Sequence, residues 1–416
     1  MLIIYKFIIN IIFFFSPIII LVRLLKKKED PIRFKEKFCF FSKKRIKGKL
    51  IWFHGASVGE ILSIIPLIEK LEKNKKIKQI LVTSNTLTSS KIFSGLRLKK
   101  TIHQFFPIDT NYHSKKFLKY WKPSSAIFID SEIWPNMITN IKKKNINLIL
   151  LNARITKKSF LKWKKIISYA KTLFQKFDIC LPASIESKKY LKLLGVQKID
   201  YIGNLKFSQT EKNENYLNNQ LKKFFHSKKI WCASSTHIGE EILCARAHIK
   251  LKNKYKNLIT VIIPRHIDRT NHIVESIKKL ELKVHLHSSK TKVNPNTDIY
   301  LVNAYGMTKS FFQICNTVFL GGSIIRHGGQ NPLEPSRYGC KVLHGPNVWN
   351  FKEIYSLLNK YNVSSKVNSI NQIANKVDNI FVKKKHSHSI KSKINLLGNK
   401  ILKDTLNEIN FLITPK

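Results

Sequence analysis

Residues 321–334 read Gly-Gly-Ser-Ile-Ile-Arg-His-Gly-Gly-Gln-Asn-Pro-Leu-Glu; they follow the apolar run Thr317-Val-Phe-Leu320 and contain, at Pro332, a proline suited to a first helical turn. A strand, a glycine-rich turn and a helix N-terminus would gather backbone N–H donors and the positive end of a helix dipole at one spot. Such a spot suits a phosphate or a carboxylate. Glu334 would follow one turn into the helix, where a carboxylate can accept from ribose hydroxyls. The competing reading is an ordinary glycine-rich turn.

Other chemically capable residues fall after apolar runs. His54-Gly-Ala-Ser-Val-Gly-Glu60 sets an acid at the opening of a helix, either as a proton acceptor or as a partner for the helix dipole. Asp130-Ser-Glu-Ile-Trp-Pro-Asn136 carries two acids beside a Trp-Pro pair, Asn152-Ala-Arg154 ends in a guanidinium, and Gly203-Asn-Leu-Lys206 ends in an ammonium. Ser234-Ser-Thr-His237, followed by Gly-Glu-Glu, reads as a helix cap or as a holder for a phosphate. In Pro264-Arg-His266 the guanidinium can fork onto phosphate oxygens.

The elements that must position these residues follow from the hydrophobic pattern. Apolar runs at 50–53, 80–83, 126–129, 148–151 and 179–181, and again at 230–233, 259–263, 299–302, 318–320 and 342–343, read as buried strands. Amphipathic stretches separate them, such as 61–71 with apolar residues at 61, 64, 65, 68 and 71. Alternation of this kind implies parallel sheets covered on both faces. The expectation is α/β: two doubly wound, Rossmann-like domains facing across a cleft, with ligands beyond the carboxyl ends of the strands. The boundaries are 1–25 for an N-terminal membrane anchor, 26–207 for the first domain, 208–220 for a polar linker and 221–416 for the second domain.

With 75 Lys and Arg against 25 Asp and Glu, the chain carries a formal charge of +50 and needs anionic surroundings. The basic residues are spread along the whole length and no nucleic-acid motif accompanies them, so nucleic acid is not expected as a partner. The six cysteines show no paired spacing and read as buried free thiols. From Phe7 to Val22 no charge occurs, and Lys26, Lys27, Lys28, Arg33, Lys35 and Lys37 come after. This combination implies an anchor with everything downstream on the cytoplasmic side, the basic run meeting anionic headgroups. A buried helix is the alternative. On the anchor reading, residues 1–25 aid docking only, and a chain starting near Lys26 folds without them.

Taken in order, His54–Glu60, Pro107-Ile-Asp109, Ser131-Glu-Ile-Trp-Pro-Asn136, Asn152-Ala-Arg154, Gly203-Asn-Leu-Lys206, Ser235-Thr-His237, Pro264-Arg-His266, Gly321-Gly-Ser323, Gly329-Gln-Asn-Pro-Leu-Glu334 and Gly345-Pro-Asn347 resemble the lipid A Kdo transferases over nearly the whole chain. These bacterial glycosyltransferases move 3-deoxy-D-manno-octulosonic acid (Kdo) from CMP-Kdo onto a lipid A precursor. The resemblance implies a GT-B fold, inverting transfer to lipid IVA during lipopolysaccharide core synthesis, and residence on the cytoplasmic side of the inner membrane. It implies Glu60 as proton acceptor, with Glu132 and Lys206 stabilising the transition state. The CMP-binding positions it implies are Pro264, Arg265, Tyr305, Gly306, Met307, Asn331, Pro332, Leu333 and Glu334. No cofactor and no metal are expected.

Some positions depart from the family pattern. Asn303-Ala-Tyr-Gly-Met307 stands where the family usually has Asp-Thr-x-Gly-Glu, and Gln330 stands for a histidine. The glycine is kept, so backbone contacts with CMP persist while the side-chain contact of the missing glutamate is lost. The rival readings are a transferase using another sugar nucleotide and a basic, membrane-apposed RNA-binding protein.

Overall fold

The computed structural model describes residues 1–96, 98–209, 217–287, 292–382 and 387–413. The chain forms two compact units, Met1–Gln209 with Leu397–Lys416, and Thr210–Leu396.

The first unit is built on six parallel strands: β1 (Leu50–His54), β2 (Gln79–Ser84), β3 (Thr101–Phe105), β4 (Ser125–Ile129), β5 (Asn147–Ala153) and β6 (Ile179–Pro182). Their order is β3-β2-β1-β4-β5-β6, so the winding reverses between β1 and β4. In sheets of this order the crevice for ligands opens at the carboxyl ends on either side of that reversal. Every residue of β1, β2 and β4 is buried, as expected for a sheet covered on both faces. Trp52, Phe117, Trp121, Phe128 and Phe174 fill one side. The helix predicted over 61–71 runs Val58–Glu72 and buries Ile61, Ile64, Leu67, Ile68 and Leu71.

The second unit has seven parallel strands: β7 (Lys229–Thr236), β8 (Leu258–Pro264), β9 (Val284–Leu286), β10 (Ile299–Leu301), β11 (Thr317–Leu320), β12 (Lys341–His344) and β13 (Ser364–Lys366). Their order is β13-β12-β11-β7-β8-β10-β9, which places the reversal between β7 and β11. Three strands escaped the hydrophobic pattern, β3, β9 and β13, and all three lie at sheet edges.

Two features differ from the expected boundaries. The second domain was expected to run to residue 416, but the helix Ser387–Ile413 leads the chain back to the first unit from Leu397 onward. There Ile401 and Ile409 are buried, and Glu408 lies 3.9 Å from Lys198. The apolar helix Leu2–Leu25, long and apolar enough to cross a membrane, is not a separate body but packs on the first unit. Much of the expected linker (210–216) lies outside the described residues.

Candidate active site

At the carboxyl end of β1 the chain turns through Gly55 and Ala56 into the helix Val58–Glu72, with Ser57 as its N-cap. Glu60 is bound from both sides: Ser57 Oγ donates to Oε1 at 2.6 Å, and the Ala56 N–H donates to Oε2 at 2.7 Å. Ser57 Oγ also accepts from the Glu60 N–H at 3.4 Å, so the pair resembles a capping box in which the acid reaches back to Ala56, one residue before the N-cap; this gives Glu60 a structural role at the helix start beside the catalytic one. Both roles are compatible, because each carboxylate oxygen keeps a second lone pair. Burial raises the Glu60 carboxyl above its ordinary range; the Ser57 bond opposes this and the nearby Glu132 adds to it.

Glu132 reaches the same place from the loop after β4. Its Oε2 accepts from His54 Nε2 at 3.1 Å and from the Trp134 indole at 2.8 Å. Burial alone would raise its carboxyl, but the bond and charge of His54 and the indole bring it below the ordinary value. His54 is fully buried, with Nδ1 lying 3.0 Å from Thr83 Oγ1. This Thr83–His54–Glu132 chain was not legible in the sequence, since His54 and Glu132 lie 78 residues apart. Glu60 and Glu132 thus differ in the direction of their shifts, the usual arrangement when one acid must exchange a proton and its neighbour must stay charged.

Lys206 sits in the short 3-10 turn Leu205–Ser208. Asn204 Oδ1 accepts from the Lys206 N–H at 2.9 Å, and Asn152 Oδ1 accepts from the Leu205 N–H at 2.9 Å. Asp130 lies within the field of Lys206 and Arg154: burial raises its carboxyl, and those two cations oppose the rise. Asp130 and Asn152 both hold left-handed backbone, at φ 61° and 52°. Strained backbone at the ends of β4 and β5 is the kind that collects at functional sites. The first unit therefore brings Glu60, Glu132, Asp130, Arg154 and Lys206 to one end of its sheet.

Asp109 buttresses this loop. Its carboxylate accepts from the N–H groups of Asn136 and Met137 at 3.0 and 2.8 Å, which start the helix Pro135–Lys143, and from Tyr5 Oη at 2.8 Å. Burial pushes its carboxyl up to about 7 against these bonds.

In the second unit the proposed phosphate cradle is already occupied by the chain itself. The N–H groups of Gly322, Ser323 and Ile324 donate to the carboxylate of Glu240 at 2.7, 3.1 and 2.9 Å, and the His237 N–H joins them at 3.0 Å. Glu240 is fully buried. Gly321 is required by close approach, since a Cβ there would lie 2.3 Å from the Ser235 carbonyl oxygen. This part of the loop is a structural lock, so the phosphate-cradle reading is corrected. The helix that follows is Leu333–Arg337, five residues long, with Glu334 in its first turn, and it starts where the Asn331-Pro332 pair was expected to start it, Pro332 already holding helical backbone at φ −81° and ψ −11°. Asn331 Oδ1 accepts from the Leu333 N–H at 3.2 Å. Pro332 and Leu333 are buried, leaving Asn331 and Glu334 half-buried on either side.

The remaining positions implied for CMP lie just beyond strands of the same sheet. Pro264 ends β8 and is buried, while the Arg265 side chain is exposed and its N–H donates to the Thr236 carbonyl. Tyr305 and Gly306, beyond β10, are exposed, and Met307 is half-buried at the start of the helix Thr308–Ile314. Near them the rings of His266 and His327 stand 5.9 and 4.3 Å from that of His237. Among the described residues no group of three or more His, Cys, Asp or Glu is placed to hold a metal ion.

Comparison with known proteins gives a consistent result. Residues 32–209 match the family described as 3-Deoxy-D-manno-octulosonic-acid transferase (kdotransferase). The chain is 33% identical over 336 residues to the 3-deoxy-D-manno-octulosonic acid transferase of Rickettsia bellii, covering 80% of this chain and 79% of that one. It is 29% identical over 323 residues to the enzyme of the same name from Haemophilus influenzae, covering 77% of this chain and 76% of the relative. Among solved structures, a glycosyltransferase from Rickettsia africae superposes with a TM-score of 0.56 at 13% identity, covering 89% of this chain and all (100%) of that one. At that identity the likeness speaks to the GT-B fold alone.

Proposed function

The chain belongs to the 3-deoxy-D-manno-octulosonic acid transferases, and from that membership we propose that it moves Kdo from CMP-Kdo onto the lipid A precursor lipid IVA with inversion at the anomeric carbon. It is a glycosyltransferase of lipopolysaccharide biosynthesis; the donor, the acceptor and the residue roles are the parts proposed. The observation that carries the reading is the pair of acids at the β1–β4 reversal, Glu60 with its carboxyl raised and Glu132 with its carboxyl lowered.

In the proposed step a sugar hydroxyl of lipid IVA gives its proton to Glu60 as its oxygen attacks the anomeric carbon of Kdo. The bond to the CMP phosphate breaks on the opposite face, and the electron pair leaves with CMP. A raised carboxyl is well matched to this, because a base works best with a pKa near the operating pH. Glu132, held ionised and oriented by His54 and Trp134, and the Lys206 cation would stabilise charge as the bond breaks. Arg265, exposed at the end of β8, would meet the donor phosphate, with Tyr305–Met307 and Asn331–Glu334 contacting the nucleotide. No metal or cofactor enters the proposal. The working place is the cytoplasmic face of the inner membrane, where the apolar helix Leu2–Leu25 and the basic surface meet anionic lipid.

The test is Glu60→Gln, which retains the shape and an acceptor for the Ala56 N–H but cannot take the proton. With CMP-Kdo and a tetra-acylated lipid A precursor, product mass should show a loss of transfer of about 100- to 10,000-fold with calorimetric CMP binding intact. Transfer above about a tenth of the wild-type rate would remove Glu60 as base. In the wild type, a product bearing no Kdo, or Kdo drawn only from another donor, would overturn the substrate assignment.

A further inference from the structure

The helix Leu2–Leu25 carries one stripe toward the first unit along its whole length. Tyr5, Ile9, Phe13, Ser16, Ile20 and Arg23, spaced by three and four residues, are among its buried or half-buried positions, and the others, Leu2, Lys6 and Leu24, fall on or beside the same stripe. That spacing is one face of an α-helix. Both ends of the stripe are fastened by polar groups. Near the start, Tyr5 Oη donates to Asp109 at 2.8 Å; near the end, Arg23 pairs with Glu29 at 2.8 Å, and the Glu29 carboxylate also accepts from Lys37 Nζ at 2.7 Å. The Glu29 side chain has no exposure. The Lys37 carbonyl in turn accepts from the Ile108 N–H, so both ends of the helix tie to the same 108–109 segment. Midway, the Phe13 ring meets those of His113 and Phe38 at 4.8 and 6.0 Å.

The opposite face is apolar and open to solvent. Ile4, Phe7, Ile11, Phe14, Ile18 and Leu25 are between 43% and 76% exposed. A continuous apolar face of this size marks an interaction surface. Lys26, Lys27, Lys28 and Lys35 are exposed beyond its end, with Ile32 and Phe40 exposed among them at 79% and 63%. Apolar side chains bordered by exposed lysines fit an anionic bilayer surface.

We infer that this helix lies lengthwise in the headgroup region of an anionic leaflet and does not cross the bilayer. The inference rests on the proposal that the helix meets the membrane, and deepens it. At about 1.5 Å per residue the helix is long enough to span. Yet it is seated on the α/β body of the first unit from its first turn to its last. Carrying it through about 30 Å of hydrocarbon would drag in Asp109, Glu29, Arg23 and Lys37 with the surface around them. Lying flat, it sinks only its free face, about 5–10 Å deep. Because Asp109 holds both Tyr5 and the N–H groups of Asn136 and Met137, the leaflet then stands beside the loop that carries Glu132 and Trp134. An acceptor with its acyl chains still in the leaflet would need only its sugar lifted to that loop.

The test uses the full chain with single cysteines at the exposed positions Ile4, Ile11, Ile18 and Leu25, each spin-labelled, on phosphatidylethanolamine vesicles containing phosphatidylglycerol. The wild type, whose six cysteines are all buried, serves as the labelling blank. Relaxation by oxygen and by a water-soluble nickel chelate should give similar, shallow depths at all four sites. A profile deepest near Ile11 and returning to water at both ends would overturn the flat placement while leaving membrane attachment standing. Four labels in water, with no sedimentation on the vesicles, would overturn both.

Discussion

At the scale of single residues, the two glycines between His54 and Glu60 do different work. A Cβ on Gly55 would lie 3.2 Å from Glu60 Cβ and 3.4 Å from Oε2, so Gly55→Ala crowds the Glu60 side chain at its Cβ and shifts the carboxylate that it carries. Gly59 lies in the first helical turn, without a left-handed backbone, and a Cβ there meets nothing within 4 Å. Gly59→Ala should therefore stabilise the fold by about 0.5–1 kcal/mol, the ordinary gain of alanine over glycine in a helix. Gly55→Ala should leave the melting temperature little changed but lower transfer. Thermal unfolding set beside product mass separates the two; a destabilised Gly59→Ala would show that the open space is not there. Asp109 offers a second residue-scale test. Its carboxyl is raised from 3.8 to about 7, so the native state holds a proton that the unfolded chain releases. That contribution is complete below about pH 4 and is lost as pH rises through about 7. Denaturant midpoints for Asp109→Asn should vary less with pH across this window than those of the wild type, and parallel curves would refute the assignment.

At the scale of elements, the loop after β11 shows how a composition that suggests ligand binding can serve the fold. Glu240 accepts from three consecutive N–H groups there and from His237. Glu240→Ala would strand these buried donors, each costing about 1–3 kcal/mol, so the second unit should lose well over 3 kcal/mol in a denaturation curve. Arg265→Ala removes an exposed side chain and should leave that curve unchanged while weakening CMP in a calorimetric titration. If both variants lost CMP without loss of stability, the Glu240 lock would be mistaken. The helix Leu2–Leu25 carries a similar lesson. Starting the chain at Lys26 takes away Tyr5 and Arg23, leaving Asp109 and Glu29 each without one partner. Contrary to the sequence expectation of an expendable anchor, that truncation should lower the melting temperature of the first unit, and an unchanged value would return the helix to a docking role alone.

At the scale of the whole molecule, the sequence determined the architecture and the family. The ten strands read from it are those whose apolar runs are continuous, most of them buried between neighbours on both sides. β3, β9 and β13, with Thr, His, Gln, Ser and Lys among their residues, were missed because an edge strand needs less apolar surface to be stable. The order of motifs carried the family because each motif trails a strand, and parallel strands bring their trailing loops to one end of the sheet. Three things waited for the tertiary structure: that His54 orients Glu132 across 78 residues, that Glu240 fills the glycine-rich turn, and that Ser387–Ile413 returns to the first unit. Each is a pairing between distant segments. Local spacing records which residues share a face of one element, whereas the partner a buried carboxylate finds depends on which strands the winding sets side by side.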